Sequence, residues 1–576
     1  MVYLNRLQYF PYWALVVITI VLTLPALFSG WLGDDYIHYA LLHPDIDIPP
    51  ANDWSLFGLF SWVDASPERT QVLIDRGVIP WWTYEGFRYQ FWRPLAELSH
   101  WLDHQLWRNS ALMMHVHSLV LYLGLGAALQ RLYSRMQMSP LAVAGALAVY
   151  LWDSTHGLSL SWVANRNAIM ASLFGVLCLL WYLDWRDTGG LRTLLVSLFW
   201  LLCSLFSGEL GISTCAYLGA YALMADKAGP GKALIALWPY VVISIAWWLL
   251  YKLGNFGADN SDTNYIDPLE SPLIFLSKVW ERIPVLLFAQ FGLIPADVFG
   301  FNPKGMVIFS LFSLFFVALV FLVLLPLLKR SPEARFWALG CLLAAGPVSS
   351  TIPADRNLMM VGIGASALLG MLFEAVTLHQ ITSRVIRFGA YALFAIHLIL
   401  SPLLMPLFSY SPQVWSRLMG LQATQTIPIE SNRERVLLFG VSMPIALATT
   451  PMRFAHKQTV AEKLWLISSD PMKFIIQRVS ASVLIIESEH GMVNEFEQTV
   501  RDLSRQPLEP GFQVHTESIS IEVLELDPAG HPNRLRVQFD PEHMDSIRVI
   551  YWNGKAFQRS ELPAIGKEML LRQATK

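Results

Sequence analysis

Residues 10–35 of this chain read FPYWALVVITIVLTLPALFSGWLGDD. The apolar part, from about Phe10 to Phe28, is longer than the roughly 7–15 residues of a cleavable signal core, so it predicts a retained membrane anchor. Two acidic residues, Asp34 and Asp35, follow it directly. Because charges are costly to bury at the edge of a bilayer, the pair predicts a functional site as well as a membrane fold.

The composition of the whole chain supports a membrane protein. Of its 576 residues, 54% are hydrophobic and only 15% are charged, and the mean hydropathy is +0.43. These values exclude an ordinary soluble protein. Apolar runs near the ~20-residue length of a membrane span recur up to residue 406, and the later sequence reads as water-soluble. We therefore predict a membrane domain over residues 1–406 and a soluble domain over residues 407–576.

Apolar windows predict about eleven helical spans. They lie near residues 10–30, 111–129, 139–152, 162–182, 193–206, 211–225, 233–253, 305–328, 336–350, 357–377 and 388–406. The stretch 283–299 contains two prolines and is a candidate for a re-entrant or interfacial segment.

Basic residues set the predicted orientation. They concentrate in alternate loops, at Arg131, Arg135, Arg186, Arg192, Lys227, Lys232, Lys329, Arg330, Arg335, Arg384 and Arg387. By the positive-inside rule these loops are cytoplasmic, so loops 31–110 and 254–304 and the tail 407–576 are predicted to lie outside. We expect a multi-pass protein of the bacterial inner membrane with a periplasmic C-terminal domain.

Charge and cysteine usage argue against several classes of function. The net charge is −3 and the basic residues are scattered, so no nucleic-acid surface is predicted. The four cysteines lie in apolar segments, which favours buried side chains over disulfides or metal ligands. The histidine pairs 100/104 and 115/117 lack a third ligand, so no protein metal site is predicted. Whether a divalent metal assists stays open.

Five further polar residues lie beside apolar segments on the predicted outer side: Arg93, His156, Arg166, Glu209 and Arg356. Each type of residue has a simpler explanation alone: acids can be solvated, arginines can lie between interfacial aromatics, and a glutamate can favour a helix N-terminus. Their convergence on one side favours a site. Guanidinium forks suit phosphate, which predicts an anionic headgroup, and a buried acid with raised proton affinity suits a general base.

Five short blocks then resemble a known superfamily in their order. They are Gly33-Asp34-Asp35-Tyr36, Trp92-Arg93-Pro94-Leu95 leading to His115, His156 with Ser161 to Asn167, Ser207-Gly208-Glu209, and Asp355 to Met360. The order resembles the GT-C superfamily of membrane glycosyltransferases, especially the transmembrane O-mannosyltransferases that carry tetratricopeptide repeats. The resemblance covers about residues 1–400, and no such repeat is visible in the tail. This chain departs from the family pattern at Gly208, where lysine is frequent, at Asn167, where an acid is frequent, and within Asp355–Met359.

This resemblance implies a fold and a reaction. The fold is a multi-span, GT-C-like helical domain. The reaction is inverting transfer of a hexosyl or pentosyl group from a polyprenyl-phosphate donor to a hydroxyl of a lipid, glycan or protein. Asp34 or Asp35 would be the catalytic base, and no cofactor is assigned. The residues implied in substrate binding are Arg93, His156, Arg166, Asn167, Glu209 and Arg356.

The tail from residue 407 changes to alternating apolar runs, at 481–487, 518–523, 534–539 and 547–552. These runs predict strands in an α/β or mostly-β domain, with a mostly-β sandwich favoured and helices near 459–466 and 493–503. No nucleophile, metal or phosphate motif is visible in it, which favours a lid or a partner surface over a second enzyme. A glycan-binding or acceptor-guiding role is a further hypothesis.

Two other functions compete with a glycosyltransferase. A transporter or flippase of lipid-linked saccharides would place charges at the bilayer midplane and often shows inverted repeats. Here the charges gather at one leaflet and no repeat is visible, which favours the enzyme. In the other alternative the membrane part is only a scaffold that anchors the tail.

Overall fold

The computed structural model describes residues 12–43, 56, 58–259, 265–300, 305–469, 473–493 and 499–572. Its helices are α1 Tyr12–Thr23, α2 Asp34–Leu41, α3 Pro67–Asp75, α4 Pro94–Trp107, α5 Ala111–Arg135, α6 Pro140–Leu151, α7 Gly157–Ser161, α8 Arg166–Thr188, α9 Leu191–Ser207, α10 Ser213–Met224, α11 Pro230–Ala236, α12 Trp238–Leu253, α13 Pro272–Phe291, α14 Ala296–Gly300, α15 Met306–Arg330, α16 Pro332–Val348, α17 Met359–Thr377, α18 Arg384–Ala395, α19 Ser401–Phe408, α20 Ser411–Leu418 and α21 Met443–Ala455.

Helices dominate the N-terminal part, as predicted. Five helical segments of the described residues are long and apolar enough to cross a membrane: Ala111–Arg135, Val163–Thr188, Met306–Arg330, Met359–Thr377 and Arg384–Phe408. The pair α11 and α12, bent by 42° at its junction, is a sixth candidate. Each of the eleven predicted segments overlaps a helix. The number of eleven spans and the re-entrant character of residues 283–299 stay predictions.

The C-terminal part is rich in strands, which confirms that prediction. The strands are β1 Ser61–Asp64, β2 Arg88–Gln90, β3 Gly257–Asp259, β4 Arg435–Phe439, β5 Lys463–Ser468, β6 Phe474–Arg478, β7 Val483–Ser488, β8 Gln513–His515, β9 Ile519–Leu526, β10 Pro532–Phe539, β11 Ile547–Trp552, β12 Phe557–Ser560 and β13 Glu568–Leu571. The first three form a small sheet of their own. The C-terminal strands form an antiparallel sheet of order β13-β6-β7-β10-β9-β8 and a mixed sheet of order β12-β11-β4-β5.

The mixed sheet differs from the predicted sandwich. Strand β4 pairs in parallel with β5 and with β11, and α21 connects β4 to β5, so this half is α/β. The helix predicted near 459–466 is wrong, because residues 463–468 form β5. Its residues Leu464 to Ile467 are all buried, and a short apolar run reads the same for a buried strand as for a helix. The helix predicted near 493–503 lies partly outside the described residues.

The first long loop shares the hydrophobic core of the C-terminal part. Trp81 and Trp82 pack among the C-terminal strands, and the Trp81 indole donates a hydrogen bond to the Ile467 carbonyl at 3.1 Å. The Asp75 carboxylate accepts hydrogen bonds from the Thr516 hydroxyl and the Ser518 amide, both at 2.7 Å. Part of the predicted loop 31–110 therefore belongs to the same packed unit as the tail.

Candidate active site

A cavity of about 990 Å³ opens where the helices meet the small sheet β1-β2-β3. Its polar end is lined by Asp34, Trp62, Tyr89, Arg93, Asn167, Glu209, Tyr251, Lys252, Tyr265 and Arg356. Its apolar arm is lined by Ile212, Cys215, Leu218, Tyr240, Val241, Ile245, Trp248 and Val348. One continuous cavity thus joins a charged pocket to a hydrocarbon-like groove.

The first acid of the predicted pair faces this cavity. Asp34 is the first residue of α2, directly after Gly33, whose φ of 45° lies in the region that favours glycine. The turn at Gly33 separates α2 from the apolar segment before it. Burial raises the pKa of Asp34 to about 6, and the positive charges of Arg356 and Arg93 oppose this rise. A carboxyl group with that pKa is ionised at neutral pH yet is a stronger base than an exposed aspartate.

The second acid has a different environment. Asp35 is 4% exposed and is absent from the cavity lining. Its carboxylate accepts hydrogen bonds from the Leu32 amide at 3.0 Å and from the Ala164 amide at 2.6 Å. Burial raises its pKa to about 7. Asp35 therefore ties α2 to the turn before α8. The two acids, which the sequence could not distinguish, have different roles: Asp34 faces the cavity and Asp35 is structural.

Arg93 and Glu209 form an ion pair inside the pocket. The two guanidinium nitrogens Nε and Nη2 of Arg93 lie 2.8 and 2.7 Å from Glu209 Oε2. The Tyr251 hydroxyl donates to Glu209 Oε1 at 3.1 Å. The guanidinium also lies 4.9 Å from the Phe60 ring centroid and 4.5 Å from that of Phe91. Both predicted residues thus line the cavity, with the charge of Arg93 largely compensated by Glu209.

Arg356 is the less compensated cation of the pocket. Its guanidinium carbon lies 5.1 Å from the centroid of the Trp162 ring, and no ion pair to Arg356 occurs within the described residues. Its loop is held by two reciprocal bonds: the Asp355 carboxylate accepts from the Ala296 amide at 2.7 Å, and the Asp355 amide donates to the Asp297 carboxylate at 2.9 Å. A fixed loop thus presents a free guanidinium to the cavity and to Asp34.

Asn167 lies against Gly208, so two departures from the family pattern contact each other. Asn167 lines the cavity and is 7% exposed, and its side-chain oxygen has no hydrogen-bond partner in the described parts of the chain. A Cβ atom on Gly208 would lie 2.9 Å from Asn167 Nδ2. At this point of the structure an uncharged amide thus lies beside a glycine.

The apolar arm of the cavity follows α12. From Tyr240 to Lys252 the lining residues span about 18 Å, at about 1.5 Å per residue, which is more than half of a ~30 Å hydrocarbon core. Val241 and Ile245 line the arm and are each 51% exposed. The groove is therefore open sideways along the helix surface.

Two predicted binding residues do not face the cavity. Arg166 is fully buried and pairs with Asp103 at 2.5 Å. The nitrogen that pairs with Asp103, Nη2, also donates to the Met114 carbonyl at 2.8 Å, while Nε donates to Ser118 Oγ at 2.9 Å and Nη1 to Ser99 Oγ at 3.4 Å. The nitrogens of this guanidinium all bind partners within the helix bundle. Arg166 therefore has a structural role in place of the predicted contact with a lipid phosphate.

His156 is also part of the protein core. It is fully buried, and its Nδ1 lies 2.9 Å from the Tyr122 hydroxyl and 3.1 Å from the Tyr150 carbonyl. Neither His156 nor these partners line the cavity. Its predicted role in substrate binding is replaced by one in packing the turn before α8.

Several cavity residues were missed by the sequence analysis. They are the aromatics Trp62, Tyr89 and Tyr265 and the basic residue Lys252. Alternation was a usable signal for two of them, because Phe60 with Trp62 and Tyr89 with Phe91 recur at the two-residue spacing of strands. Within the described ranges, no group of three or more His, Cys, Asp or Glu side chains is arranged to hold a metal ion.

The C-terminal part packs directly on the helix that carries Asp34. Helix α21 lies against α2. Tyr36 and Leu32 share a small core with Leu421, Ala448 and Met452. The tail thus fixes the position of α2. The prediction of a lid or partner surface did not include this contact.

Comparison with known proteins gives a wide but distant similarity. No protein-family model and no curated protein sequence matches the chain. ArnT from Cupriavidus metallidurans bound to undecaprenyl phosphate is 11% identical over 91% of this chain and 97% of ArnT, with a TM-score of 0.40. Its apo form is 11% identical over 92% and 98%, with a TM-score of 0.41. An Archaeoglobus fulgidus oligosaccharyltransferase tethered to an acceptor peptide is 12% identical over 79% of this chain and 64% of its own, with a TM-score of 0.40.

The identities and TM-scores of these similarities are low. The function of this chain has to be inferred from its own residues.

Proposed function

We propose that the protein is a membrane glycosyltransferase that uses a polyprenyl-phosphate sugar on the extracytoplasmic face of a bacterial inner membrane. The observation that carries this proposal is the single cavity in which Asp34 and Arg356 adjoin an apolar groove along α12. A lipid-linked sugar has the same division into a long hydrocarbon, an anionic phosphate and a polar ring. A soluble sugar nucleotide would leave the groove unused.

The donor phosphate binds near Arg356 and Arg93. Arg356 lacks a carboxylate partner in the described structure, so it is the cation with the most unused capacity for an anion. Arg93 is held in place by Glu209 and by two aromatic rings. The polyprenyl chain lies in the groove, which is open to the surrounding lipid at Val241 and Ile245. The chain can then enter sideways without leaving the bilayer.

The reaction is a single displacement. An acceptor hydroxyl loses its proton to the ionised Asp34 carboxylate as its oxygen forms a bond to the anomeric carbon. The bond between that carbon and the phosphate oxygen breaks, and the lipid phosphate leaves with the electron pair. Attack opposite the leaving group inverts the anomeric centre. Guanidinium groups that are already in place stabilise the charge developing on the phosphate, a contribution of about 3–4 kcal/mol in comparable sites.

The placement of charge also supports an enzyme over a transporter. Five charged cavity residues adjoin helix ends, namely Asp34, Arg93, Glu209, Lys252 and Arg356, and a sixth, Asp267, precedes α13. The lining of the groove along α12 is mostly apolar. A path for a saccharide would need polar groups along its whole length. This change from a charged to an apolar lining suits a lipid whose chain stays in the bilayer while its headgroup reacts at the charged end.

The proposal is tested by turnover of lipid-linked sugars. Purified protein in nanodiscs is given undecaprenyl-phosphate hexoses and pentoses, and release of undecaprenyl phosphate is measured. We expect Asp34→Asn to lower turnover by about 10²–10⁴-fold, the usual contribution of a general base, without changing the melting temperature. The control Asp184→Asn removes an acid at the opposite end of α8, where it contacts Arg135, and should keep full turnover. Normal turnover in Asp34→Asn would contradict the assignment of Asp34 as the base. If no donor released undecaprenyl phosphate, the proposal that the protein is a glycosyltransferase would be wrong.

A further inference from the structure

The small sheet β1-β2-β3 presents aromatic rings to the cavity. The register of β1 against β2 shifts between Ser61 and Val63, so the strand is irregular at Trp62. The aromatic residues that line the cavity from this sheet and its flanks are Phe60, Trp62, Tyr89 and Phe91, together with Tyr265.

The five rings divide into two groups by their partners. Phe60 and Phe91 lie under the Arg93 guanidinium. Trp62, Tyr89 and Tyr265 form an aromatic platform beside them, with ring centroids 5.3 Å apart for Trp62 and Tyr89 and 5.4 Å apart for Tyr89 and Tyr265. Phe91 joins the two groups, since its ring lies 5.1 Å from Tyr89 and 5.6 Å from Tyr265. The two tyrosine hydroxyls bond to each other at 3.1 Å. All three rings are half-buried at the cavity wall, so part of their surface is available to a ligand.

The platform adjoins the proposed base. Asp34 lines the same cavity as the three rings, and after burial and Tyr265 its carboxylate contributes to raising the pKa of the Tyr89 phenol. The proposed polyprenyl groove is lined by other residues of this cavity, along α12. A molecule on the platform would therefore bring a hydroxyl to Asp34 without displacing the donor lipid.

The chemistry of the platform favours a saccharide. A pyranose ring has C–H faces that pack on the electron-rich face of an aromatic ring, and hydroxyl edges that need charged or polar partners. Such partners line the same cavity, where Lys252 pairs with Asp267 and Arg93 pairs with Glu209.

We propose that Trp62, Tyr89 and Tyr265 form an acceptor subsite that holds a sugar ring, so that the acceptor is a glycan. This inference rests on the proposed function, because the hydroxyl of that ring is what Asp34 would deprotonate. The platform orients the acceptor and takes no part in the bond changes.

The test uses photo-cross-linking in the intact membrane of the cell that makes the protein. A benzoylphenylalanine replaces Tyr265 in one full-length variant and Trp62 in a second, and Ile245 in a third that reports on the groove. We expect the first two to capture a protease-resistant, periodate-sensitive glycan, and the third to capture a polyprenyl-phosphate lipid. Capture at Tyr265 should fall about tenfold with Trp62→Ala and be kept with Trp62→Phe.

The outcomes separate the two proposals. A polyprenyl lipid at position 245 with a polypeptide, or nothing, at both platform positions would overturn the glycan subsite and leave the glycosyltransferase standing. Bulk phospholipid alone at position 245 would contradict the lipid-linked donor. A glycan at position 265 whose yield is unchanged by Trp62→Ala would remove Trp62 from the subsite.

Discussion

Two clusters of polar residues, one around Arg166 in the helix bundle and one around Arg356 at the cavity, differ in how completely their polar atoms are satisfied. In the bundle, Arg166 is fully buried and every guanidinium nitrogen has an oxygen partner, including Asp103. In the cavity, the Arg356 guanidinium lies over the face of Trp162 and has no ion pair among the described residues, and the Asn167 oxygen has no hydrogen-bond partner among them. A satisfied charge holds a fold together, whereas an unsatisfied one beside a cavity is available to a ligand.

The largest effect should come from breaking the satisfied cluster. We expect Arg166→Gln to lower the free energy of unfolding by about 3–5 kcal/mol, because it leaves Asp103 buried without its cation. Thermal unfolding of purified protein in nanodiscs measures this loss. Turnover per folded molecule should stay close to that of the unchanged protein.

A paired substitution sharpens the first prediction. Arg166→Met with Asp103→Leu removes both charges and should recover much of the lost stability, since replacing a buried ion pair by apolar groups is often neutral. His117, which lies 2.7 Å from Asp103, would lose its partner as well. A double variant as unstable as Arg166→Gln would show that the two residues act separately.

Substitution of Arg356 should lower turnover more than stability, the opposite of the effect expected at Arg166. Arg356→Gln is expected to lower turnover by about 10²–10³-fold, as for removal of one preorganised donor in a transition state, with little change in melting temperature. Arg356→Lys should retain part of the activity, because it keeps the charge and loses the planar fork. Equal loss of stability in Arg356→Gln and Arg166→Gln would abolish the distinction between the two clusters.

The pH dependence of turnover should report on Asp34. A base must be ionised, so with a pKa of about 6 the rate should fall about tenfold per unit below that pH and level off above it. Arg356 lowers this pKa, so Arg356→Gln should raise the pKa of Asp34. The acidic limb of its residual activity should therefore shift to higher pH. The control Asp184→Asn should keep the limb unchanged. A limb that stays in place in Arg356→Gln would mean that another group titrates.

The sequence predicts which segments are helices or strands better than it predicts which charges face a ligand. Apolar length and alternation are local properties, so the apolar segments and four of the tail strands appear where predicted. Strand β5 was missed because both of its faces are buried and alternation is lost. The packing of residues 58–90 into the C-terminal core was missed because contacts of such large sequence separation leave no local pattern.

The candidate site shows the same limit in single residues. Asp34 and Asp35 are adjacent, yet successive helical residues point about 100° apart, so one faces the cavity and the other the Ala164 turn. Arg166 and Arg356 both precede an asparagine at a helix start. What separates them is Asp103 on the distant helix α4, and only the tertiary structure shows that this acid meets one arginine and not the other.

The smallest effect should come from Gly208, where the cavity wall is tight. An alanine there places a Cβ atom 2.9 Å from the Asn167 amide nitrogen, so the Asn167 side chain must shift. We expect the KM for the donor to change by about three- to tenfold. The matched control Gly219→Ala adds a Cβ that meets nothing within 4 Å and should leave KM unchanged. In an Asn167→Ala background the clash is gone, so Gly208→Ala should have no further effect. An effect of equal size in both backgrounds would show that Gly208 acts through the backbone and not through Asn167.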